Sequence, residues 1–110
     1  MKVHDASALA RAAVAANPTR PATHLAHDSD DARVVLFRIE PGQSVAVHTS
    51  PSSVILSVIA GRGVVSGADG ERDAKRGDVV TYAPGEPHGM RATDEQFIIA
   101  AIIAPRPATR

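Results

Sequence analysis

Two histidines carry the chemistry that this sequence offers. His48 stands in "VAVHTSPSS" and His88 in "GDVVTYAPGEPHGM", each where a strand-like run meets a turn. Imidazole suits zinc, copper, iron and nickel, and without a metal it serves as general acid, general base or hydrogen-bond partner. A catalytic zinc ordinarily takes three protein ligands and keeps one open position, so two imidazoles fall short by one. His24 and His27 are the nearest reserves. Residues three apart on a strand point to opposite faces, so at most one of the two faces inward. His27 shares its face with Leu25, an expected core residue, which makes His27 the conceivable third ligand; His4 precedes the first helix and is expected to be solvated. Thr49, Ser50, Ser52 and Ser53 cluster beside His48 and suggest a Ser-His pair. No carboxylate is placed to orient the imidazole and no nucleophile elbow is present. "TSPSS" therefore reads as a turn satisfying its own backbone.

The elements that must position these side chains are mostly short strands. Residues 5–16, "DASALARAAVAA", read as a helix that Asp5 or Ser7 caps and Asn17-Pro18 ends. Strands follow from Ala32 to Ile39, through "VILSVIAG" and "VVTY", and from Phe97 to Ala104. Asp69-Gly70 marks a hairpin, and Gly61 and Gly77 mark tight turns. Many short strands with Gly/Pro turns predict an all-β chain, an antiparallel sandwich or barrel preceded by one short helix. Residues 1–21 form the helix and arm, 22–106 the barrel and 107–110 a tail. "QFIIAAIIA" is apolar on both faces, whereas a strand with one wet face alternates. Its outer face needs a cover, which the small helix or a second copy of the chain supplies; a homodimer is the expectation.

The chain has 110 residues, twelve basic and twelve acidic, and formal net charge zero. Nothing in that balance favours nucleic acid or an anionic membrane, and no helix-turn-helix segment is present. There is no cysteine, which excludes disulfides, thiolate metal sites and a cysteine nucleophile and suits the cytoplasm. The alanine-rich start is broken by Asp5 and Arg11, unlike a signal peptide. The longest apolar run, Phe97–Ala104, is too short to span a bilayer as a helix.

From Val34 to Pro105 the chain resembles the cupin superfamily. The family's first motif begins at Gly42, places its histidines at His48 and Ser50 and its glutamate at Val54, and closes at Gly61. The second opens at Gly77, has Ala83 in place of its proline, and continues through Gly85 to His88; the later asparagine position is Ala92. The resemblance implies a small jelly-roll barrel with its site in the mouth. It also implies a divalent ion, zinc, nickel, iron, manganese or copper, held by three histidines and a glutamate. This chain keeps two of those four, His48 and His88.

The expected site is therefore metal-poor. His48, Ser50, Val54, His88, Met90 and Phe37 are the expected lining, aliphatic at the floor and polar at one end. Met90 shares strand parity with His88, and Val54, Leu56 and Val58 share parity with the lost glutamate position. Asp78 is expected to fix the turn after Gly77, and Glu86 to sit solvated over the mouth. The reading is a barrel that binds a small, mostly apolar molecule with weak, auxiliary or no metal. Its rival is a metal-dependent oxygenase or isomerase using His48, His88 and a non-standard third ligand. Turnover is left open by the residues.

Overall fold

The computed structural model describes residues 1–107. The expected tail at 107–110 lies, but for Pro107, outside the described residues. Helix α1 spans Ala6–Ala12, followed by strands β1 (Ala22–Asp28), β2 (Arg33–Ile39), β3 (Ser44–His48), β4 (Ser53–Ala60), β5 (Arg62–Gly67), β6 (Gly70–Lys75), β7 (Val79–Tyr82), β8 (His88–Ala92) and β9 (Phe97–Ala104). They form a five-stranded sheet in the order β1-β2-β9-β4-β7 and a four-stranded sheet in the order β3-β8-β5-β6. Every pairing is antiparallel. One core joins the two sheets: Ile39, Leu56, Val58, Phe97 and Ile99 from the first meet Val65, Ala74, Met90 and Ala92 from the second. The expected all-β jelly-roll barrel with a short N-terminal helix is the fold observed.

Three turns share one device that sets the strand ends. In Glu40–Gln43, Lys75–Asp78 and Ala83–Glu86 the third residue is a glycine at φ 87°, 93° and 81°. The amide of the fourth residue donates to the carbonyl of the first at 2.9, 2.9 and 3.0 Å. The fourth side chain then accepts from the amide of the first: Gln43 from Glu40 at 2.9 Å, Asp78 from Lys75 at 2.8 Å, Glu86 from Ala83 at 3.1 Å. A positive φ at that position favours glycine, and the returning side chain leaves no orphan donor. Asp78 holds its turn as expected. Glu86 does likewise and is half-buried, so its carboxylate is not the freely solvated group the sequence suggests.

The helix is shorter than 5–16. Asp5 caps it, accepting from the Ala8 amide at 3.0 Å, but it ends at Ala12. The cause is tertiary. The Arg38 guanidinium on β2 donates to the carbonyls of Ala10, Arg11 and Ala13 at 2.8, 2.7 and 2.9 Å, satisfying the free end of the helix with a cation where its dipole favours one. Docked this way, α1 lays Ala6, Leu9 and Ala10 over Leu36, Ile98 and Ala100 on the outer face of the larger sheet. Ile98 is fully buried within one chain, so this part of the two-sided strand is covered by the helix.

Candidate functional site

His48 and His88 meet at one end of the barrel. They face each other across the β3–β8 ladder, with ring centroids 4.2 Å apart and planes at 60°. The register between Val45 and His48 shifts, so Ala46 and Val47 together oppose Gly89. That extra residue turns His48 to the face that Val45 occupies, as a bulge does. Gly89 makes room for it: a Cβ there would lie 3.0 Å from a Val47 methyl and 3.1 Å from the Val45 carbonyl oxygen. His88 is buried and His48 is exposed.

Both rings are oriented by the backbone. His48 Nδ1 lies 2.8 Å from the Ala46 carbonyl oxygen and His88 Nδ1 lies 3.1 Å from that of Glu86. A carbonyl only accepts, so in the neutral rings the proton sits on Nδ1 and each Nε2 presents a lone pair. Tyr82 packs on the other side of His88, centroids 5.2 Å apart, and its hydroxyl donates to the Ser66 carbonyl at 2.8 Å. Burial, then the carboxylates of Glu86 and Asp69, push the Tyr82 phenol above its ordinary pKa, so it stays a neutral donor. Tyr82 belongs to this cluster, whereas in the sequence it stands only as the last residue of the strand-like run "VVTY". Its parity with Val80 on β7 was the available signal, since both turn toward the core.

The other expected lining residues separate into three places. Val54 and Met90 point into the core and are buried; Val54 sits opposite Tyr82 in the β4–β7 ladder. Ser50 lies on the loop after β3, not on a strand. Its hydroxyl accepts from the Ser52 amide at 3.2 Å and its carbonyl from the Gly85 amide at 2.8 Å, so it ties two loops together at the histidine end. Phe37 is half-buried on β2 and lines, with Val45, a cleft at the seam between β1–β2 and β3. The expectation for His27 is corrected. A register shift between Leu25 and His27 breaks the strand parity: Leu25 pairs with Val35 while His27 pairs with Val34. The two therefore take opposite faces, Leu25 is 53% exposed instead of packed in a core, and the His27 ring reaches the Ser29 hydroxyl at 3.2 Å.

Two imidazoles with free Nε2 atoms come together, but among the described residues no group of three or more His, Cys, Asp or Glu side chains could hold an ion. Val54, at the family's carboxylate position, is 3% exposed in an aliphatic setting that disfavours a charge. Among the described residues, His48 and His88 are brought together without a third His, Cys, Asp or Glu beside them.

Two facing antiparallel sheets around one core, with paired histidines at one end, define a small jelly-roll barrel protein. Residues 35–103 match the pattern of the cupin domain family; the chain belongs to the cupins. It is similar to the protein TT1209 from Thermus thermophilus (26% identity, 97% of this chain and 100% of that one, TM-score 0.86). It is also similar to an RmlC-like cupin protein from Desulfovibrio desulfuricans (30% identity, 96% and 97%, TM-score 0.79). A third is an uncharacterized conserved protein with a double-stranded beta-helix domain from Klebsiella pneumoniae (24% identity, 100% and 99%, TM-score 0.82). A predicted oxalate decarboxylase from Thermotoga maritima and a DMSP lyase from Ruegeria pomeroyi, at 22% and 20% identity, share the fold alone. Comparison with curated proteins finds no significant match.

Proposed function

We propose that this cupin binds a small, mostly apolar molecule at the histidine end of the barrel, through hydrogen bonds to the Nε2 atoms of His48 and His88, with a metal at most auxiliary. The observation that carries the reading is the pair itself: two rings in edge contact, both anchored through Nδ1, beside the apolar residues Val54 and Met90. Preset lone pairs in a largely aliphatic setting are the polar minority that fixes a ligand's orientation. Native mass spectrometry of the untagged protein as purified tests it. The expected result is a small-molecule adduct on the parent that is lost from His48→Ala and His88→Ala. An adduct retained by both variants overturns the assignment of the site.

One observation favours a second reading, a metal-dependent oxygenase or isomerase. An Nδ1–H bound to a backbone carbonyl is the outer support that metal-ligating imidazoles show, and both rings have it. Its third ligand would come from outside the family's set. Near-stoichiometric iron, nickel, copper or zinc by elemental analysis would put this reading first.

The cytoplasm is the compartment that a cysteine-free chain suits. Among the described residues no helix is long and apolar enough to cross a membrane. The protein pairs with a second copy of itself through the part of the larger sheet's outer face that the helix leaves uncovered. Support comes from Val34, Ile102 and Ile55, which fall in one cross-strand row, from Val79, 63% exposed, and from a net charge of zero that offers little repulsion. Light scattering checks it: the parent should be a dimer at tens of micromolar and Ile55→Lys a folded monomer. A monomeric parent would end the idea.

A further inference from the structure

The seam between β1–β2 and β3 holds a cleft of about 530 Å³, within the size range of small-molecule sites. Its apolar floor comes from both sheets: Phe37 on β2 and Val45 on β3, each half-buried against the central core. The hydroxyl-bearing residues Thr23 and Ser44 line its sides, and Arg20 stands at its rim.

Arg20 is held there by the arm before β1. The Asn17 side chain accepts from the Thr19 amide and hydroxyl at 2.9 and 2.8 Å, the Arg20 amide donates to the Asn17 carbonyl at 3.0 Å, and Gln43 on the turn before β3 donates to the Pro18 carbonyl at 3.0 Å. Among the described residues no carboxylate pairs with the Arg20 guanidinium. Glu40, which shares a neighbouring depression with Arg20, is engaged by Arg38 at 3.0 Å and by Gln96 at 3.1 Å.

We infer that this cleft is a binding site for a small organic monoanion with a compact apolar body: the carboxylate on the Arg20 guanidinium, the body on Phe37 and Val45. A planar guanidinium matches a carboxylate with two parallel hydrogen bonds. A single free cation over an apolar floor suits one negative charge better than the two of a phosphate monoester. Neither histidine lines the cleft, so the inference adds a second site and does not depend on the ligand reading above.

The test is an amide-correlation NMR titration of the full chain with benzoate and hexanoate, and with benzyl alcohol as the neutral counterpart. Both anions should shift the amides of residues 20–23, 37 and 44–46. Arg20→Gln, at an exposed position, should keep the fold and weaken benzoate about tenfold, the scale of one charge-assisted hydrogen bond, while leaving benzyl alcohol unchanged. No shift in the cleft from either anion at about 10 mM, a binding energy under roughly 3 kcal/mol, overturns the inference, as does equal benzoate affinity in Arg20→Gln. Anion-induced shifts confined to the amides around His48 and His88 also overturn it, yet leave the histidine-end reading standing. Shifts confined to the cleft support it whatever becomes of that reading.

Discussion

The two ends of the barrel are built on opposite terms. At the end formed by Ile39, Gly61, Gly63 and Phe97, backbone and ring are in direct contact. A Cβ on Gly63 would lie 2.3 Å from the Phe97 ring and 2.6 Å from the Arg91 carbonyl oxygen, and one on Gly61 1.9 Å from the Gln96 carbonyl oxygen. At the histidine end the corresponding loop glycine, Gly85, has nothing within 4 Å, and two ring nitrogens are left without a protein partner among the described residues. At Gly61 and Gly63 the first end is closed by space-filling that leaves no room for an added atom; the loops of the other are held by hydrogen bonds, as from Gly85 to Ser50 and from Ser52 to Pro105. A barrel that concentrates its packing at one end can leave polar side chains uncommitted at the other.

The comparison breaks first, and most visibly, at Gly63. Gly63→Ala should cost about 3 kcal/mol or more, the upper range for overpacking, because a backbone carbonyl blocks the new methyl as well as a ring that is fully buried. Gly85→Ala, strained only by its φ of 81°, should cost about 1–2 kcal/mol. Urea midpoints of the two variants measure the contrast; equal losses would mean that the ends do not differ.

Next in size is the restoration of ligands at the open end. Ser50→His with Val54→Glu completes the family's set around His48 and His88. Calorimetric titration with zinc and nickel should show at least about 100-fold tighter binding than in the parent, and ion at 100 times Kd should add about 2.7 kcal/mol of stability. Without the ion the variant should melt below the parent, since the introduced carboxylate would be enclosed where Val54 is 3% exposed. Equal and tight binding by the parent would show that an unassigned ligand already completes the site.

How far the sequence discloses each end follows from the range of the interactions involved. The strand Phe97–Ala104 and the turns at Gly61 and Gly77 were legible because an apolar run and a lone glycine are local signals, and the fold followed from them with the spacing of His48 and His88. The register shifts in β1 and β3 were not legible. A bulge is a relation between two strands, and an unbroken alternation placed His27 beside Leu25 when the observed pairing puts them on opposite faces. The helix end was hidden for the same reason: Arg38 caps carbonyls 25 to 28 residues earlier. Ser50 reads as part of a turn, but the Gly85 amide on its carbonyl, which ties that turn to a second loop, is another contact between distant residues.

Gly77 supplies a smaller test at the closed end. Its φ is 93°, but nothing lies within 4 Å of where a Cβ would stand. Gly77→Val should therefore cost only the backbone strain, about 1–2 kcal/mol, and leave ligand binding at the histidine end unchanged. A loss as large as that of Gly63→Ala would show that the turn between β6 and β7 is sterically closed too.

The smallest effect concerns the ion pair at the open end. Asp28, at the close of β1, accepts from Arg106 just past β9, with Arg33 beside it. The hydrogen bond from Arg106 is the main reason its carboxyl titrates below the usual range; desolvation opposes it, and the charges of Arg106 and Arg33 with a hydrogen bond from Arg33 add to the lowering. A carboxyl lowered in the fold stabilises the fold at pH values above its unfolded pKa. That contribution fades as pH falls through the folded one. The pair is solvent-exposed, so its worth is small and salt screens it. Melting temperatures of the parent and Arg106→Gln, taken from neutral to acid pH, should differ slightly at neutral pH and low salt. They should converge once Asp28 is protonated, and converge also in molar salt at neutral pH. A difference that survives both acid and salt would mean that Arg106 acts through packing of its aliphatic stem, and the open end would then be closed by contact as the other is.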